Sequence, residues 1–85
     1  MEELPVSEGF EWDEDKAHRN LEKHGVSFEE ASGAIMNAEG THSNHTRGEK
    51  RYTIIASSEY GRLLFVVFTL RGRTIRIISA RRMRR

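Results

Sequence analysis

The chain has 85 residues, the length of one domain that buries only about 60–65% of its unfolded surface, so a partner subunit is a reasonable source of further stability. It has no cysteine, which excludes disulfides, thiol nucleophiles and Cys-type metal sites and fits a reducing cytoplasm, and no stretch reaches the ~20 apolar residues of a membrane span. The net charge of +1 hides a segregation: residues 1–30 hold ten acids against three bases, whereas residues 71–85 hold seven arginines and no acid.

The opening "MEELPVSEG" is acidic and polar, unlike a secretory signal, and reads as a flexible tail over residues 1–9 ahead of a single domain over 10–85. In "FEW", Phe10 and Trp12 are two apart and share one face of a strand. Asp13 is an N-cap, with Glu14 and Asp15 in the first turn of a helix whose apolar stripe is Ala17, Leu21 and His24. Gly25 ends that helix. Ser27-x-x-Glu30 is a capping box opening a second helix, Val26 staples it, and Phe28, Ala31 and Ile35 are its buried stripe.

Residues 37–50 are polar and glycine-punctuated, a loop or a loop holding one weak edge strand. Then the period changes. "RYTIIAS" (51–57) is β-branched and aromatic, "EYGR" turns, and "LLFVVFTL" (63–70) is the nearly unbroken apolar run of a central strand. "RGR" turns again, with Gly72 free to take positive φ, and "TIRIISA" (74–80) sets Ile75 and Ile77 against Arg76 and Ile78. The expectation is an α+β domain: an N-terminal strand and two short helices packed on one face of a three- to four-stranded antiparallel sheet.

The chain then ends in arginine. Lysine would serve equally for solubility, whereas arginine is suited to forked phosphate contacts and to stacking on bases. Arg76 lies inside the last strand, and Arg81 and Arg82 are expected just past its end. Metal-free RNA cleavage needs a base for the 2′-hydroxyl, cations for the phosphorane and a proton for the leaving 5′-oxygen. Candidates for proton transfer are His24, Glu49, Lys23, His42 and His45, and for charge stabilisation Arg51, Arg76, Arg81 and Arg82. Arg71, Arg73 and Arg84 add to an RNA-binding surface. Each has a plainer reading: His24 and Lys23 complement the negative end of a helix, Glu49 and Arg51 are strand neighbours, and Arg76 decorates a solvated face. Trp12 is a core aromatic before it is a base-stacking one. His42 and His45 lack third and fourth ligands, so no metal and no cofactor is expected.

"FEWDEDKAHRNLEKHGVSFEEA", "GEKR" and "RLLFVVFTLRGRTIRIISARR" together resemble the BrnT family of bacterial toxins, over about Phe10 to Arg82. The resemblance implies a RelE-like fold, a ribonuclease that inhibits translation, and a neutralising BrnA-like ribbon–helix–helix antitoxin. It raises Glu49 and Arg51, since the family carries a similar G-E-x-R there. The family commonly runs on past Arg82 into a charged helix, whereas the sequence here stops at Arg85, which would attenuate activity if that helix supplies contacts. RNA, free or on the ribosome, and the antitoxin are thus the expected partners, in the cytoplasm and without a membrane, with oligomers forming through the antitoxin. The alternative is a non-catalytic module that binds nucleic acid or an acidic partner through its arginine end, and a third reading joins the acidic front of one copy to the basic end of another.

Overall fold

The computed structural model describes residues 9–38, 42–46 and 49–83. The elements follow in the order β1 (Gly9–Glu11), α1 (Glu14–His24), α2 (Phe28–Met36), β2 (His42–Thr46), β3 (Glu49–Ser57), β4 (Leu63–Arg71) and β5 (Thr74–Arg82). They form one five-stranded sheet in the order β1-β5-β4-β3-β2. Strands β2 to β5 are the expected antiparallel meander, and the N-terminal strand joins it in parallel, with Gly9, Phe10 and Glu11 beside Thr74, Ile75 and Arg76. Of the expected N-terminal tail, only Gly9 lies within the described residues, and it opens β1. No helix among the described residues is long and apolar enough to cross a membrane.

Local chemistry sets the helix ends. The Asp13 carboxylate accepts from the amides of Asp15 and Lys16, at 2.9 and 3.1 Å. Those bonds, the Lys16 one foremost, hold its carboxyl below the usual carboxylate range. Gly25 takes φ 70° and returns its N–H to the Leu21 carbonyl, closing α1. Ser27 caps α2 by accepting from the Glu30 amide at 3.0 Å. The reciprocal half of the expected capping box is absent, because the Glu30 side chain is taken by partners from the β3–β4 turn.

The core lies between the helices and one face of the sheet. Val26, Phe28, Ala31, Ala34 and Ile35 pack against Tyr52, Ile54, Leu64, Val66, Phe68, Ile75, Ile77 and Ala80. Tyr52 and Phe68 are cross-strand partners whose rings stack at 5.3 Å, and Trp12 meets Phe28 edge-on at 6.0 Å. In β5, Ile77 and Ala80 both reach this core although they are three apart. A bulge allows it: Phe68 pairs with Ile77 but Val67 pairs with Ser79, which leaves Ile78 unmatched and reverses the alternation.

Helix α1 departs from its expected stripe. Leu21 is 48% exposed, and the buried α1 residue is Asn20. Of the expected stripe, Ala17 packs against the core but Leu21 does not. α1 lies along β5, and Asn20 makes the join through hydrogen bonds.

Candidate functional site

β1 pairs only with the first three residues of β5, so the rest of that edge needs other hydrogen-bond partners. Asn20 supplies them at Ala80. Its amide donates to the Ala80 carbonyl at 2.7 Å and its oxygen accepts the Ala80 N–H at 3.2 Å. The same amide nitrogen donates to the Val26 carbonyl at 3.0 Å. This clamp fixes the C-terminal turn of α1 against the end of β5. Lys23 and His24, three and four residues on from Asn20, are thereby set beside Arg81 and Arg82, the residues that follow Ala80.

The result is an open cavity of about 670 Å³ lined by Lys23, His24, Arg81, Arg82 and Met83. None of the lining residues among those described is acidic. Arg81 and Arg82 were expected past the strand but lie within it, because β4 offers them Phe65 and Leu64 as partners and accepts the Met83 amide at the Leu63 carbonyl, 2.8 Å away. Both arginines are exposed, and the Arg81 guanidinium lies over the Phe65 ring, 4.9 Å from its centroid.

A second network stands behind the cavity. Glu30, only 4% exposed, accepts from the Ser58 hydroxyl at 2.6 Å and from Arg62 Nε at 3.0 Å, and Arg62 Nη2 closes an ion pair with it. Arg62 Nη2 also donates to the Gly25 carbonyl at 3.0 Å, so the network holds the turn that follows His24. The Arg62 hydrogen bonds, aided by Ser58 and by the charge of Arg82, hold the Glu30 carboxyl below its usual range. Glu30 in turn raises the Arg62 guanidinium above its ordinary value.

The remaining candidates gather at the opposite end of the sheet. Arg51, Thr69, Arg76 and Glu11 are successive cross-strand partners in β3, β4, β5 and β1, so they form one row on the face turned away from the helices. Arg76 donates to Glu11 at 2.6 Å in a half-exposed ion pair. Exposed Arg71 and Arg73 flank the turn at Gly72, which has φ 59°. Glu49 begins β3, two residues before Arg51. Arg81 is five positions on from Arg76, about 16 Å of strand. The candidate guanidinium groups thus form two groups, one around the cavity and one at the β4–β5 turn. Arg84 and the side chains of Glu49, His42 and His45 lie outside what the structure describes.

Asn20, Glu30, Arg62 and Phe65 were not singled out from sequence as site residues. Asn20 does stand within the N-x-x-K-H-G stretch, four residues before His24, which was the available signal.

Comparison with known proteins adds two findings. A family model described as "ribonuclease toxin, BrnT, of type II toxin–antitoxin system" matches residues 12–85. The 1.1 Å crystal structure of the Brucella abortus ribonuclease toxin BrnT superposes with a TM-score of 0.70 at 22% identity, covering 91% of this chain and 97% of that one, a likeness of fold. No curated protein matches the chain.

Proposed function

Since this chain belongs to the BrnT family of ribonuclease toxins of type II toxin–antitoxin systems, we propose that it cleaves RNA without a metal ion at the Lys23–His24–Arg81–Arg82 cavity. One observation carries the reading: a histidine, a lysine and two arginines line the same open cavity. Imidazole exchanges protons near neutral pH. His24 takes the proton of the attacking 2′-hydroxyl as its oxygen bonds to phosphorus. Arg81 and Arg82 stabilise the charge that develops on the phosphorane oxygens. The Lys23 ammonium gives its proton to the 5′-oxygen as the P–O5′ bond breaks. The products are a 2′,3′-cyclic phosphate and a 5′-hydroxyl, and solvent returns the exchanged protons. The cationic lining also disfavours a divalent cation.

Arg51, Arg71, Arg73, Arg76 and Arg84, with Glu49, then belong to the track that holds the RNA backbone beyond the cut. The cognate antitoxin implied by the family is, on this reading, a BrnA-like ribbon–helix–helix protein, and the RNA, free or on the ribosome, is cytoplasmic. The test is incubation of purified protein with single-stranded RNA and with RNA-loaded ribosomes in excess EDTA. Fragments ending in cyclic phosphate are expected. If folded protein binds RNA but cuts neither substrate, the chain is a binding module instead.

A further inference from the structure

Arg81 belongs to two surfaces at once. It lines the cavity, and its guanidinium lies over the ring of Phe65, its direct partner across β4 and β5. The next residue in that cross-strand row is Ile55 of β3, 53% exposed on the face away from the helices. A row of Ile55, Phe65 and Arg81 therefore leads from the open sheet face to the cavity rim. The guanidinium carbon sits 4.9 Å from the ring centroid at an exposed position, so the ring covers one side of the group and leaves another open. That open side is a stacking surface for a nucleobase.

We propose that the Phe65–Arg81 pair is a base-stacking subsite for single-stranded RNA, with Ile55 as its apolar floor. The subsite takes its ligand from the ribonuclease reading and adds to it the place of a base beside the cavity. Phe65 acts here as a positioning residue, because it orients the guanidinium on which the base lies. Stacking is tolerant of sequence, since every base has a planar face. The subsite therefore recognises that a base is present rather than which base it is.

The experiment compares two probes of equal charge: an uncleavable 2′-O-methyl RNA octamer, and the same octamer with abasic residues. Wild-type protein is expected to bind the base-bearing probe about tenfold more tightly, within the range of one stacked base. Phe65→Leu keeps an apolar side chain but removes the ring, and Arg81→Lys keeps the charge but removes the plane. Both are expected to bring the affinity ratio close to one, and Phe65→Trp to keep it. Circular dichroism confirms that each variant is folded, and Arg81→Lys at an exposed position keeps the test open if Phe65→Leu is not. Equal binding of both probes by wild type, or an unchanged ratio in the folded variants, overturns the subsite. Cleavage is scored separately with ordinary RNA. Cleavage with a ratio of one removes the subsite alone, and a tenfold ratio without cleavage removes the ribonuclease reading alone.

Discussion

Asn20 serves Ala80 as a neighbouring strand would, giving its edge carbonyl a donor at 2.7 Å and its edge amide an acceptor at 3.2 Å. Asn20→Ala leaves both backbone groups and the Val26 carbonyl without that partner in a buried setting. Unsatisfied buried groups cost about 1–3 kcal/mol each, partly recovered where water enters. A loss of about 2–3 kcal/mol is expected, read as a lower urea midpoint with an unchanged slope. Asn20→Asp is expected to be worse, since it keeps the acceptor but sets an anion against two carbonyls. A midpoint within experimental error of wild type for both variants would mean that α1 is not held to β5 this way.

Glu30 makes stability depend on acid. Its folded pKa is depressed by Arg62 and Ser58, so its contribution is present above the unfolded carboxylate pKa near 4.5 and is lost as pH falls through the lower folded value. Asp13 acts in the same window, so the comparison with Glu30→Gln isolates Glu30. Wild type is expected to lose its advantage over Glu30→Gln as pH drops from about 5 toward 3. Arg62→Ala, which leaves the Glu30 carboxylate buried without its ion, is expected to cost about 3 kcal/mol at pH 7. Chemical denaturation across that range reads both, and parallel pH profiles for wild type and Glu30→Gln contradict the account.

Arg76 and Arg81 differ in their company. Glu11 already neutralises Arg76, whereas the aromatic partner of Arg81 leaves its charge intact. Each phosphate contact on a single strand contributes about 0.7 to the slope of log affinity against log salt. Arg81→Ala is expected to reduce that slope by about this amount. Arg76→Ala should change it less, and Glu11→Gln should steepen it by freeing the guanidinium. Binding of the uncleavable octamer between 50 and 200 mM salt, a range over which phosphate contacts weaken strongly, checks this. Equal losses for Arg76→Ala and Arg81→Ala would show that the ion pair opens on binding RNA.

Local signals were readable in the sequence. Asp13, Gly25 and Ser27 cap as their residue types predict, and Phe28, Ala31 and Ile35 form the buried stripe of α2. The apolar run at 63–70 is the central strand. Features set by distant partners were not readable. Glu30 is in capping-box position, yet its side chain bonds 32 residues away to Arg62. The bulge at Ile78 depends on register with β4, and without it Ala80 would leave the core. Leu21 follows helical period but faces outward, because Asn20 rather than Leu21 joins this turn of α1 to the sheet. The same non-local register divides the arginines. In sequence they are one basic tail, but along β5 they lie at opposite ends of a nine-residue strand.

The most direct test of the cavity is a comparison of cleavage rates on single-stranded RNA in EDTA for His24→Ala, Arg81→Ala, Arg51→Ala and wild type, each checked for folding. Loss of an acid–base group is expected to slow cleavage about 10²–10⁴-fold, and loss of a cation that faces the developing charge about 10²–10³-fold. His24→Ala and Arg81→Ala should show these losses, while Arg51→Ala, at the far end of the sheet, should lower affinity with little effect on the rate at saturation. A collapse of that rate in Arg51→Ala, with His24→Ala cutting as fast as wild type, would move the chemistry to the β4–β5 turn and contradict the assignment.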